Sequence, residues 1–240
     1  MKRKYFSVVF LLLIVLARIL SSDKSVKVMR NLFYEYDLSK KYTGVTIVVD
    51  PGHGGRDPGK VGINGALEKD INLAIALLLR DFLEDKGINV IMTRTEDVGL
   101  YSESDTNKKR ADLNKRIEII NSSNALFAVS IHQNSFSQEN IRGAQVFYYA
   151  NSEQGRILAE TLQEHIKETL KDGNHRKAKS NTIYYMLKHT KCPFVIVECG
   201  YLTNRAEASL LINPEYQEKM AKAIGEGILK YLNLIDISNT

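Results

Sequence analysis

From Val45 onward the chain repeats one pattern: a short run of β-branched residues, then a stretch whose apolar residues recur every three or four positions. That alternation constrains the fold more than any other feature. Strands separated by helix-length segments pair in parallel, and a parallel sheet has to be covered on both faces. Val45 to Asp50 reads as the first strand and Ile88 to Thr93 as the second. Between them, Leu67 to Lys86 sets Leu67, Ile71, Ala74, Ile75, Leu78, Leu79 and Phe82 on one helical face and stops at Gly87, a residue type suited to a helix C-cap. Polar Gly99 to Thr106 reads as a loop, and Lys108 to Asn121 as a helix with Ala111, Leu113, Ile117 and Ile120 at helical spacing. Strands over Ala125 to Ile131 and Ala144 to Ala150 follow, then a helix over Ser152 to Leu170 with Ser152 as N-cap. Asp172 to Asn181 is charged and loop-like, Phe194 to Cys199 is the last strand, and Asn213 and Pro214 open a closing helix that runs to Leu232. The expectation is an α/β fold: a single three-layer domain over 44–235, with a mostly parallel twisted sheet and helices on both faces. A linker over 23–43 precedes it and a short tail, 236–240, follows.

The amino terminus has a different character. Met1-Lys2-Arg3-Lys4 precedes the apolar run Tyr5 to Ala17, which is shorter than the roughly 20 residues of a full membrane span and reads as an export signal over 1–22. Ser21 and Ser22 are small enough for cleavage, but Arg18, Ile19 and Leu20 fit a cleavage site poorly, so a removed signal peptide and a retained anchor both stand. The expected location is therefore outside the cytoplasmic membrane, in contact with it only through this segment. A net charge of +5 suits an anionic partner, but a wall polymer, a membrane surface and nucleic acid would serve equally. Lys108, Lys109, Arg110, Lys115 and Arg116 read as a solvated helix face. Cys192 and Cys199 flank an extended run at about 3.3 Å per residue, which puts them beyond disulfide reach and predicts two free thiols.

In open α/β sheets, ligands gather at the carboxyl ends of the strands. Three such ends carry chemistry here: Asp50-Pro51-Gly52-His53-Gly54-Gly55, Ser130-Ile131-His132-Gln133-Asn134 and Val197-Glu198-Cys199-Gly200. Glu68 stands at the start of the first long helix. His53, Glu68 and His132 form the kind of His and carboxylate set that zinc hydrolases use, with a fourth position left for water. Gly52, Gly54 and Gly55 would let the backbone turn and approach closely. Each residue also has a plain structural reading, Glu68 as a helix-dipole charge for example, and from the residues alone the two accounts weigh equally. A rival site pairs Cys199 as nucleophile with His189. His165, His175 and His189 lack ligand-spaced companions and read as solvent-facing or structural.

Those three motifs, with Glu68-Lys69-Asp70-Ile71-Asn72-Leu73, Thr93-Arg94 and the continuation Tyr201-Leu202-Thr203-Asn204, resemble in order and spacing the zinc-dependent N-acetylmuramoyl-L-alanine amidases over about residues 45–233. The resemblance implies Zn²⁺ on His53, Glu68 and His132, and Glu198 as the catalytic carboxylate. It also implies substrate contacts from Arg94, Arg116 and Asn134. The implied partner is peptidoglycan rather than nucleic acid, with an activating protein partner left open. Asp50 is a candidate to orient a ligand imidazole. The compact chain is similar to the CwlD-type amidases of spore cortex, which implies a role in sporulation and germination in the space around the forespore. A vegetative wall amidase and a non-catalytic wall-binding scaffold stay open as alternatives. The short link from Asn134 to Gly143 leaves no room for the occluding helix of cell-division members.

Overall fold

Six strands form one sheet in the computed structural model, which describes residues 42–237. The signal at 1–22, the linker as far as 41 and the last tail residues, 238–240, lie outside the described residues. No helix among the described residues is long and apolar enough to cross a membrane.

The strands are β1 (Thr46–Pro51), β2 (Asn89–Met92), β3 (Phe127–Asn134), β4 (Gln145–Tyr149), β5 (Lys179–Asn181) and β6 (Phe194–Tyr201). Their order across the sheet is β2-β1-β3-β6-β4-β5. Every neighbouring pair is parallel except β4 with β6. The helices are α1 (Glu68–Glu84), α2 (Lys108–Ser122), α3 (Glu153–Leu170), α4 (Tyr185–His189), α5 (Arg205–Leu211) and α6 (Pro214–Ile237). Val48, Ala128, Phe194 and Ile196 face Ile120 of α2 and Met186 and Leu187 of α4. Their alternates Ile47, Val49, Phe127, Val129, Val195 and Val197 are fully enclosed on the other face. There α1 packs on β1 and β3, α3 packs on β4 and β6, and Tyr231 of α6 meets Phe127 edge-on at 5.3 Å. Burial on both faces is why these strands read as continuous apolar runs.

The expected helix boundaries rest on the predicted caps. Ser152 accepts from Gly155 N at 3.1 Å, and Asn213 accepts from Glu215 N at 2.8 Å. Past α1, Gly87 takes φ +80°, and Ile88 N donates to Leu83 O at 3.2 Å. Three differences from the sequence reading stand out. First, β3 and β6 run past Ile131 and Cys199, because their parallel ladder continues through His132 opposite Glu198 to Asn134 opposite Tyr201. Second, Lys179–Asn181, expected as loop, forms edge strand β5. An edge strand with one neighbour needs little apolar surface, so it carries no hydrophobic signature. Third, α4 and α5 are too short for a periodicity to register. The link between β3 and β4 contains no helix. Cys192 and Cys199 are both free.

Candidate metal and proton-transfer site

Strand β1 ends in a tight loop and α1 begins with a carboxylate, and together with β3 they bring three side chains to one point. Glu68 Oε1 lies 3.2 Å from His53 Nε2 and 2.9 Å from His132 Nδ1. The two imidazole rings sit edge to face with centroids 5.0 Å apart. One ligand atom from each of the three residues falls within 4.8 Å of the others. His53 reaches this position in the left-handed region, φ +62°, which a side chain rarely adopts. Gly52 is dictated by proximity: a Cβ there would stand 2.2 Å from Cε1 and Nε2 of His132.

Glu68 is almost enclosed, and its carboxylate is not explained by the helix dipole. Oε2 accepts from Lys60 N at 2.7 Å, and Oε1 accepts from Gln133 N at 3.1 Å. Burial alone would raise its pKa, but His132 and His53 hold it well below the carboxylate range. His53 rises to about 9: burial opposes the charge, and the bonds to Asp57 and Glu68 outweigh it. The point where the three groups meet therefore favours positive charge. Two imidazole nitrogens and a carboxylate oxygen are a donor set that zinc accepts, so the residues fit a zinc ion.

Asp57 is the residue the sequence reading missed. Its Oδ2 lies 2.8 Å from His53 Nδ1, and its Oδ1 accepts from Gly59 N at 3.0 Å. The bond to His53 holds the Asp57 carboxyl down at about 2. Ligand histidines usually carry such a partner on the second nitrogen, which fixes ring orientation. A carboxylate four positions after a histidine in a Gly- and Pro-rich turn was the available signal. Asp50, the candidate for this role, is turned elsewhere. It accepts from Thr93 Oγ1, Ser130 Oγ and Arg116 Nη1, each at 2.6 Å.

Arg94 and Arg116, expected as substrate contacts, are 3% and 2% exposed. Arg116 donates to Pro51 O at 2.7 Å and His53 O at 2.6 Å. Arg94 donates to Pro51 O and Gly52 O, both at 3.0 Å, and to Lys69 O at 2.8 Å. Through these bonds the two guanidinium groups tie the His53 loop to the first turn of α1. Their reach is into the backbone of the site rather than toward a ligand. Arg116 is also the one member of the supposed solvated face on α2 that is buried, because its charge is matched by Asp50 and Asp112. Asn134 ends β3 half-buried, with its side-chain oxygen accepting from Ser135 N at 2.8 Å.

Glu198 stands beside His132 across the β3–β6 ladder, and both face a cleft of about 260 Å³ walled by Leu113, Tyr184, Tyr185 and Met186. Glu198 Oε2 is buried with no hydrogen-bond partner. Burial raises the Glu198 carboxyl to about 7; His132 and His53 pull down and Glu68 adds to the rise. Cys199, next in sequence, points to the opposite face of the sheet. Burial raises its thiol far above the ordinary value, which leaves no thiolate for nucleophilic attack. His189 sits exposed, with Nδ1 2.8 Å from Tyr185 O of its own helix, so the cysteine–histidine pairing is not formed. His165 contacts Glu226 at 3.2 Å and His175 is exposed.

A family profile described as N-acetylmuramoyl-L-alanine amidase matches residues 47–230. The germination-specific N-acetylmuramoyl-L-alanine amidase of Bacillus subtilis is 39% identical over 192 residues, which is 79% of this chain and 80% of that one. The amidase AmiA of Escherichia coli is 30% identical over 244 residues, covering 82% of this chain and 80% of its own. Among solved structures, the CwlD amidase from Clostridioides difficile in complex with the GerS lipoprotein superposes with a TM-score of 0.77 at 43% identity, covering 80% of this chain and all of that one.

Proposed function

The chain belongs to the N-acetylmuramoyl-L-alanine amidase family, and from that premise we propose a zinc-dependent hydrolase that cuts the amide between the lactyl group of N-acetylmuramic acid and L-alanine in peptidoglycan. The observation that carries the zinc reading is the meeting of His53 Nε2 and His132 Nδ1 on one Glu68 oxygen. Those three residues would hold the ion. Once bound, zinc polarises a carbonyl oxygen and brings the pKa of water toward about 7.

The rest of the chemistry belongs to the chain itself. Asp57 fixes the His53 ring, so that Nε2 is the nitrogen directed inward. Glu198 takes a proton from the attacking water and delivers it to the departing alanine nitrogen. Its unpartnered oxygen is free for that exchange, and burial favours the protonated carboxyl that has to donate to the leaving nitrogen. The cleft walls keep bulk water from competing for this carboxylate, which is what holds its pKa up.

The finer reading is a role in spore cortex, acting outside the cytoplasmic membrane and in contact with it only through residues 1–22. Support comes from the germination-specific relative in B. subtilis and from the CwlD neighbour. Because that neighbour was solved with a lipoprotein, we also infer an accessory protein for this chain.

The test incubates the purified, zinc-supplemented chain with cortex and with vegetative wall, with and without extract of sporulating cells, and reads the products by mass spectrometry. The expected result is new N-terminal L-alanine from cortex in preference to vegetative wall. Glu198→Gln should keep its zinc while turnover falls by about 10²–10⁴-fold. Undiminished turnover in that variant removes the proton-transfer role. Equal cleavage of both walls removes the cortex assignment.

A further inference from the structure

The loop that carries His53 also borders a second cavity, of about 270 Å³, through Gly54, Asp57 and Pro58. Its character is opposite to that of the apolar cleft at His132. Arg56, Lys108, Lys109 and the Tyr101 hydroxyl line it together with Asp57 and Asp112. Both of those carboxylates are already engaged, Asp57 by His53 and Asp112 by Arg116 at 2.6 Å. Arg56 and Lys108 share a single outside carboxylate, Glu103, at 3.3 and 3.2 Å. Arg56 and Glu103 are each more than two-thirds exposed, a setting in which such pairs hold weakly. The Lys109 side chain makes no hydrogen bond or salt bridge among the described residues, and its charge is felt at Asp57. Tyr101 Oη accepts from Arg56 N at 3.3 Å, which leaves its proton available to a ligand. Lys109 is thus the lining cation without a carboxylate partner among the described residues, and Asp57 links the cavity directly to His53.

We propose that this cavity is a carboxylate subsite that seats the stem peptide of the substrate, with Lys109 and Arg56 binding the free carboxylate of the acidic residue after L-alanine. The assignment rests on the amidase reading and deepens it. The two flanks of the centre then divide the substrate by chemistry. The aromatic and aliphatic wall at Leu113, Tyr184 and Tyr185 suits the uncharged sugar, and the basic cavity suits the anionic peptide.

The experiment compares two muropeptides that differ only at the second stem residue, one with its α-carboxylate free and one with that group as a carboxamide. The free acid should have the lower KM, by about tenfold, the weight of a hydrogen bond to a charged group. Lys109→Gln and Arg56→Gln should raise KM for the acid, leave kcat and zinc content unchanged, and shrink the preference over the carboxamide. Equal KM values for the two substrates in the unaltered protein overturn the subsite, as does unchanged KM in both variants. Equilibrium binding of the corresponding dipeptides, acid against carboxamide, requires no turnover. A chain that cleaves wall without this preference loses only the subsite. A chain that binds the acid preferentially but cleaves no wall keeps the subsite and loses the amidase reading.

Discussion

Arg116→Met separates a positioning role from substrate contact. The substitution keeps the aliphatic stem and removes a guanidinium that bonds Asp50 Oδ1, Asp112 Oδ2 and His53 O at 2.6 Å and Pro51 O at 2.7 Å. Arg116 and Asp50 side chains are each 2% exposed, so Asp50 would be left as a buried carboxylate held only by the hydroxyls of Thr93 and Ser130. Removing one member of an enclosed ion pair costs about 3–5 kcal/mol. In a domain of this size that corresponds to a Tm lower by about 6–20 °C. The freed His53 carbonyl should also loosen the metal loop, lowering zinc affinity by about 10–100-fold, as losses of supporting bonds to ligands do. Thermal melts of the metal-free protein and competition with a chelator read the two effects separately. Adding Asp50→Asn to Arg116→Met removes the orphaned charge and should recover part of the stability. The pH dependence gives a further check. Burial opposes ionisation of Asp50, but Arg116, Ser130 and Thr93 outweigh it and hold the carboxyl below its ordinary 3.8. The stabilisation is therefore complete above that value and lost as pH falls through the folded one. The gap between unaltered protein and variant should narrow in acid. A variant with unchanged melting and zinc affinity but a raised KM would refute this reasoning and return Arg116 to substrate contact.

Three other outcomes follow from the same geometry. Asp57→Ala frees the second nitrogen of His53 and should weaken zinc binding by about 10–100-fold in a chelator titration; unchanged affinity would mean that the loop backbone alone orients the ring. Gly52→Ala forces a methyl into the His132 imidazole and should abolish zinc retention, measured by metal analysis, while far-UV circular dichroism stays native. Retained zinc there would show that the His132 ring can swing without leaving the site. Cys199→Ala should keep its turnover and its sensitivity to chelators, and an inactive variant with zinc intact would revive the thiol as nucleophile.

Much of the fold was legible because secondary structure here is written locally. Alternating β-branched runs and helical periodicities mark the layers, and Ser152, Asn213 and Gly87 mark helix ends through bonds to their own neighbours. Elements lacking a local signature escaped: edge strand β5 needs no apolar face, and α4 and α5, of five and seven residues, are too short for a repeating apolar pattern to register. His53, Glu68, His132 and Glu198 could be singled out by residue type and by position at strand and helix ends. What chain order could not convey was the direction in which each polar side chain is turned and what it meets. Arg116 has the same residue type and helical context as exposed Arg110, yet it is enclosed because backbone carbonyls of the His53 loop and two carboxylates converge on it. Asp57 takes the ring-orienting role expected of Asp50 for the same cause. A strand end points Asp50 into the α2 layer, whereas the turn after His53 curls Asp57 back onto the ring. Periodicity depends on bonds between near neighbours and is carried by the sequence itself. The partners of a buried charge come from segments up to 80 positions away, and only packing brings them into reach.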